Sequence, residues 1–209
     1  MAEFAQEKPT KQDRSVAPIP YDKRNLSYAG TFTNPYKAFG IRSIEWVSGK
    51  MPLLRLVRRF ERMGPATGQA FWAQALGLMG ISLTTPAEQI SRIPKYGPVI
   101  IVANHPHGLV DGMVLAELIG RVRQDYKILT RSLLTGVQEI EEFMIPVPFP
   151  HEPEAREKSL KMRKQAMEHL SVGGLIVLFP SGVVASVDMY FGRAIERDWN
   201  PFTAKLITK

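Results

Sequence analysis

Two short, uninterrupted apolar runs constrain the fold of this chain more than any other feature. PVIIVAN (98–104) and LIVLF (175–179) are rich in branched aliphatic residues, which is typical of strands buried on both faces of a sheet. Segments with helical periodicity lie between them, at 112–123 and 154–170, and YKILT (126–130) predicts a further strand. Strands alternating with helices predict an α/β fold, with a largely parallel or mixed sheet covered by helices.

The chain divides into three regions by composition. Residues 1–32 are polar, charged and rich in proline, which predicts a flexible basic tail that is disordered. Residues 33–80 predict N-terminal amphipathic helices, and residues 81–209 predict the α/β domain. IPVPF (145–149) predicts an extended segment that its prolines confine to an edge or a loop. The final PFTAKLITK predicts a helix that ought to lead into another strand, so we expect the domain to be truncated at its C-terminus.

The positive charge of the chain is concentrated in its first third. Residues 1–66 carry twelve Lys and Arg against six Asp and Glu, while the net charge of the whole chain is +7. Within PLLRLVRRFERM (52–63), apolar residues fall on one helical face and four arginines on another: Arg55, Arg58, Arg59 and Arg62. This pattern predicts either a helix at an anionic membrane surface or a helix packed on the domain with a solvated basic face.

Several classes of protein are disfavoured by what the sequence lacks. It has no cysteine, which excludes a disulfide framework, a thiol nucleophile and a thiolate metal site. The longest nearly apolar run, at 70–83, contains Gln74 and is shorter than the ~20 residues that span a bilayer. No recognised DNA- or RNA-binding motif accompanies the basic charge, so we expect no nucleic-acid partner.

Two turns of unusual composition follow the apolar runs. NHPHGLVDG (104–112) follows the first run, and FPSG (179–182) includes the end of the last. Ligands bind at the carboxyl ends of strands in open α/β sheets, so these turns predict a site at one edge. His105 suits proton transfer near neutral pH, and Asp111 can fix its tautomer. Without a serine or cysteine nucleophile beside it, such a pair would activate a substrate hydroxyl or amine, as in direct acyl transfer.

Alternative interpretations of these residues remain open. Asp111 precedes the predicted helix and is also suited to be its N-cap. His107 is expected to be packed or to face solvent. Nevertheless, His105-x-His107 after a strand resembles a metal-ligand pair, which would indicate a metal-dependent hydrolase. The only other imidazoles are those of His151 and His169, and we expect both at the surface.

The ordered motifs resemble those of the glycerol-phosphate and lysophospholipid acyltransferase family. NHPHGLVDG resembles its His–Asp motif, in the form with five intervening residues that is usual in a bacterial subgroup. LFPSG resembles its Phe-Pro-Glu-Gly block, and RSLLTGVQEIEEFMIPVPF (131–149) lies where the family has a middle block. The resemblance covers roughly residues 80–190, and it implies that residues 81–209 form an acyltransferase domain.

This resemblance implies roles for particular residues. His105 would be the general base, and Asp111 would orient it. Arg131 is a candidate for binding a charged head group. Ser181 replaces the glutamate that is usual in the family, which disfavours glycerol 3-phosphate as acceptor. The residues implied to line the substrate site are Asn104, Gly108, Phe179, Pro180, Ser181 and Gly182.

The function implied by the resemblance is the transfer of a fatty acyl group in membrane lipid synthesis. The donor would be acyl-CoA or acyl carrier protein, and the acceptor a lysophospholipid-like molecule or an aminolipid. No metal or cofactor is expected beyond the thioester co-substrate. Such an enzyme would be a peripheral protein on the cytoplasmic face of the cell membrane, held there by the anionic surface of the membrane. A non-catalytic lipid-binding module of the same fold is a second alternative.

Overall fold

A four-stranded, entirely parallel sheet forms the centre of the protein. The structure is a computed structural model that describes residues 34–46, 51–131, 137–149, 152–187 and 192–208, so the predicted tail lies outside the described residues. The strands are arranged in the order β1-β4-β2-β3. Their bounds are β1 Val99–Val102, β2 Tyr126–Arg131, β3 Met144–Val147 and β4 Leu175–Leu178. The α/β fold is therefore confirmed.

The described part of the chain also contains seven α-helices. Their bounds are α1 Pro35–Glu45, α2 Met51–Met63, α3 Ala70–Leu78, α4 Ala87–Ile90, α5 Leu109–Gly120, α6 Ala155–Ser171 and α7 Phe202–Ile207, with a 3-10 helix at Gln138–Phe143. The helix predicted from residue 112 begins three residues earlier. The α4 and 3-10 helices were not predicted, because elements this short show no clear hydrophobic period.

The order of the strands explains their composition. All four residues of β4 are buried, in agreement with its central place in the sheet. β3 lies at an edge, where Pro146 is exposed and its missing N–H removes no hydrogen bond from the interior of the sheet.

Two apolar layers cover the faces of the sheet. Leu175 and Val177 of β4 belong to one layer, which contains the fully buried Trp72 of α3 and residues of α5. Ile176 and Leu178 belong to the other, formed with α6. Because adjacent strand residues point to opposite faces, one continuous apolar strand supplies both layers.

A buried arginine links the segments at the end of the sheet where the strands begin. The Arg123 side chain is only 5% exposed and donates two hydrogen bonds of 2.6 Å to the Asp125 carboxylate. It also donates to the carbonyls of Pro94, Gly97 and Gly173. The hydrogen bond from the guanidinium holds the pKa of Asp125 below its usual value. This network therefore ties together the segments that lead into β1, β2 and β4.

Candidate active site

The neighbouring positions of β1 and β4 bring the two predicted turns together. Val102, the last residue of β1, is paired with Leu178, the last residue of β4. His105 follows three residues after β1, and Phe179 directly follows β4. Their rings stack with centroids 4.1 Å apart and planes 22° apart. The carboxyl ends of two parallel strands thus place the motifs at the same edge, as the sequence predicts.

His105 is bonded to Asp111 through one ring nitrogen. The Nδ1 atom lies 3.1 Å from Oδ2 of Asp111, and the two side chains are only 18% and 13% exposed. An ionised carboxylate can only accept a hydrogen bond, so this contact favours the tautomer that carries its hydrogen on Nδ1 and keeps the lone pair on Nε2. No hydrogen bond from a described residue engages Nε2. The arrangement leaves a basic nitrogen for a proton from elsewhere.

Asp111 is not the N-cap of its helix, so that interpretation was wrong. Helix α5 begins at Leu109 and its N-cap is Gly108, whose φ of 66° is readily adopted only by a residue without a side chain. Asp111 is instead the third helical residue, and its Oδ2 accepts the backbone N–H of His107 at 2.8 Å. The early start of α5 thereby turns this carboxylate back onto the loop that carries His105.

The second histidine of the motif shares the same carboxylate. His107 is 73% exposed, in line with the expectation that it faces solvent, and its Nδ1 lies 3.2 Å from Oδ1 of Asp111. In the part of the chain that the structure describes, no three His, Cys, Asp or Glu residues gather as a group that could hold a metal.

The remaining imidazoles lie apart from this pair or outside the described residues. His169 is partly buried rather than fully at the surface. Its Nε2 lies 2.7 Å from the carbonyl of Asp125, which precedes β2 at the opposite edge of the sheet. His151 falls outside the described residues.

The second turn is held by hydrogen bonds within it and by contacts from neighbouring segments. Gly182 adopts a φ of 67° and donates its N–H to the Phe179 carbonyl at 2.9 Å. The Ser181 hydroxyl donates to the Val183 carbonyl at 2.9 Å. Pro180 is buried, and its carbonyl accepts a hydrogen bond from the N–H of Asn200. Within this turn, Phe179 is the residue whose ring contacts that of His105.

Two other predicted binding residues differ in their surroundings. Asn104, which directly precedes His105, is exposed. Arg131, the last residue of β2, donates to the Gly182 carbonyl at 2.8 Å and the Pro148 carbonyl at 3.3 Å. Its guanidinium also lies 4.9 Å from the ring centre of Phe149. Arg131 thus supports the second turn in this structure, and its binding of a head group stays a prediction.

A glutamate distant in sequence also contacts the backbone of His105, and this contact was not predicted. Oε2 of Glu196 accepts the backbone N–H of His105 at 3.0 Å. The contact joins residues 91 positions apart. No local motif marks Glu196, so the contact could be found only from the tertiary structure. An open cavity of about 520 Å³ adjoins this segment, and its lining includes Ser181, Ser186 and Arg197.

Comparison with known proteins agrees with this geometry. A family model described as Acyltransferase matches residues 53–207, from α2 to α7, and the matched region contains His105, Asp111 and both turns. No curated protein shows a significant match to the chain. Because the family match covers well over half of the sequence, the chain belongs to this acyltransferase family.

Proposed function

We propose that this acyltransferase moves a fatty acyl group from acyl-CoA or acyl carrier protein to a lipid acceptor, with His105 as general base. The observation that carries the proposal is the contact of its Nδ1 with Asp111, which leaves Nε2 as the basic nitrogen. A histidine base contributes about 10²–10⁴-fold to the rate of such reactions. The acceptor would be a lysophospholipid-like molecule or an aminolipid in membrane lipid synthesis.

The proposed reaction is a direct transfer without an acyl-enzyme. The acceptor's hydroxyl or amine attacks the thioester carbonyl while its proton passes to Nε2 of His105. The tetrahedral intermediate then expels the thiolate, which takes the proton back from the imidazolium, leaving a new ester or amide and a free thiol. Asp111 stabilises the imidazolium between these steps. Direct transfer is supported because the chain has no cysteine and the Ser181 hydroxyl bonds to Val183.

Stabilisation of the oxyanion is the other requirement of this reaction. The N–H of Gly182 already donates to Phe179, so this group is engaged within its own turn. Helix α5 begins beside His105, and the free N–H groups at a helix start carry partial positive charge. We therefore assign the oxyanion to the first turn of α5, where such charge would favour it.

We place the enzyme at the cytoplasmic face of the membrane as a peripheral protein. In the described ranges, no helix has the length and apolar character needed to cross a bilayer. The apolar face of α2 packs on the domain through Val57 and the buried Phe60, so α2 would offer charge to anionic lipids rather than insert. The α2 residues exposed for this contact are Arg55, Arg58, Arg59 and Arg62.

Helix α1 supplies the apolar contact that α2 does not. Tyr36 is 86% exposed, Phe39 71% and Trp46, its C-cap, 67%. At helical spacing these three aromatic residues fall on one side of α1. Tyr and Trp side chains suit the membrane interface because their apolar rings and polar groups are both accommodated there, and Phe39 adds a purely apolar ring. Together α1 and α2 would hold the site near lipid substrates.

The proposal is tested by offering donors and acceptors in all combinations. Radiolabelled acyl-CoA and acyl carrier protein thioesters are incubated with lysophospholipids and lyso-aminolipids, and the lipids are separated by thin-layer chromatography. A labelled acylated lipid that depends on one acceptor class would support the proposal. Free fatty acid without acceptor dependence, together with bound metal by elemental analysis, would instead indicate the hydrolase. Lipid binding without turnover of any pair would indicate the non-catalytic module.

A further inference from the structure

Both backbone polar groups of His105 are held by the C-terminal segment. Its carbonyl accepts the N–H of Ala185 at 2.9 Å, and its N–H donates to Oε2 of Glu196 at 3.0 Å. Ser186 and Ile195 exchange two backbone hydrogen bonds, of 3.2 and 2.9 Å, in an antiparallel bridge. This bridge brings the chain back after the second turn, so the residue that follows Ile195 meets the loop carrying the base.

The other carboxylate oxygen of Glu196 is buried in a way that reduces the stability of the fold. Oε1 is closed off from solvent and has no hydrogen-bond partner in the part of the chain that is described. Burying half of a carboxylate without a partner opposes folding, since that oxygen loses its bonds to water. A buried group left in this state requires an explanation, and a functional role is one. The hydrogen bond that Glu196 does make is to the residue that carries the catalytic imidazole.

We propose that Glu196 is a positioning residue for His105, an inference that rests on the proposed function. Asp111 fixes Nδ1 of the ring, and Phe179 covers one ring face. Glu196 accepts the backbone N–H of His105 and so fixes the main chain from which the ring projects. Without the Glu196 carboxylate, the peptide group before His105 is free to rotate. Nε2 then moves away from the hydroxyl or amine proton of the acyl acceptor. A displacement of about 1 Å at a reacting group can reduce the rate ~10²-fold.

The kinetic test compares two substitutions at Glu196 with a matched control. Glu196→Ala is expected to lower kcat about 10- to 100-fold, with KM for the acyl donor changed less than about threefold. In Glu196→Gln, the side-chain amide oxygen can still accept the His105 N–H, so kcat should stay within about fivefold of wild type. Glu152→Ala is the control, because that carboxylate accepts the N–H of Phe149 at 3.1 Å in another loop. It should leave kcat unchanged.

A second measurement does not depend on turnover. Amide hydrogen exchange at His105, followed by NMR, should accelerate in Glu196→Ala and stay slow in Glu196→Gln. If wild-type protein turns over no donor–acceptor pair, the proposed function fails, and exchange alone decides whether Glu196 holds this peptide. If Glu196→Ala does not fold, Glu196→Asp replaces it, since the shorter side chain withdraws the acceptor by one methylene.

Three results would overturn the inference. The first is wild-type kcat in the folded Ala or Asp variant. The second is an equal loss of kcat in the Gln and Ala variants, because Gln keeps the acceptor oxygen. The third is an unchanged rate of exchange at the His105 amide when the acceptor is removed.

Discussion

The Arg123→Met substitution tests how the sheet is fixed beneath the site. The guanidinium is buried and donates to three backbone carbonyls, which would each lose a hydrogen bond worth about 1 kcal/mol. The pair with Asp125 adds only about 1 kcal/mol, because that carboxylate is 53% exposed and screened by water. We therefore expect a loss of about 4 kcal/mol in the free energy of unfolding, or a fall in Tm of about 8–16 °C.

Urea unfolding and thermal melts followed by circular dichroism would measure this loss. Arg92→Met is the matched control, because Arg92 makes a pair with Glu88 at helical spacing in which both side chains are exposed, and its removal should cost less than about 0.5 kcal/mol. A loss below about 1 kcal/mol in Arg123→Met would refute the view that this side chain ties the strand starts together.

The same variant has a pH signature. The pKa of Asp125 is lowered in the folded protein by the hydrogen bond from Arg123. A lowered carboxyl pKa contributes stability above the pKa of the unfolded chain, near 4, and this stability is lost as pH falls through the folded pKa. The stability difference between wild type and Arg123→Met should therefore be constant near neutral pH and narrow below about pH 4. If this stability difference does not narrow at low pH, the hydrogen bond from Arg123 is not what lowers the pKa of Asp125.

Three further predictions concern the site, the helix packing and the membrane surface. Asp111→Asn should lower kcat about 10²–10⁴-fold, because an amide no longer stabilises the His105 imidazolium; a change below threefold would argue against the pair. In Gly120→Ala, the new Cβ would lie 1.9 Å from the Gln69 side chain, which would have to move and lose its hydrogen bonds with the Ala116 carbonyl and the Tyr126 hydroxyl. Urea unfolding should report a loss of about 1–3 kcal/mol in the free energy of unfolding, and an unchanged midpoint would contradict this packing. A triple change to glutamate should weaken binding to phosphatidylserine vesicles in sedimentation assays, and equal binding would remove α2 from the proposed membrane surface. The residues changed together are Arg55, Arg58 and Arg59.

Much of the fold follows from the sequence because burial on both faces leaves a clear pattern. β1 and β4 were predicted from uninterrupted apolar runs, and β4 indeed contributes to both layers of the core. The prediction that β1 is buried on both faces was wrong, because β1 is an edge strand and is only partly buried. The start of α5 was misplaced because a glycine with positive φ ends the loop earlier than the helical pattern suggests. The order of the strands was not predicted, since any arrangement of buried parallel strands has the same local composition.

The candidate site was predictable only where its residues are neighbours in sequence. His105 and Asp111 lie in one turn, so their spacing indicated a pair. Nothing in the sequence indicated that the Arg131 guanidinium donates to the carbonyls of Gly182 and Pro148, and its binding of a head group stays a prediction. Glu196 reaches His105 through tertiary structure alone, because the bridge that places it joins segments without a recognisable motif.

The role of His105 as general base is tested most simply by the single-turnover rate of His105→Gln with labelled acyl thioester and the best acyl acceptor. Glutamine retains hydrogen-bonding groups but cannot take a proton near neutral pH. If His105 accepts the proton, the rate should fall at least ~10²-fold below wild type, with Tm and lipid binding little changed. A rate within about threefold of wild type would show that another group accepts the proton.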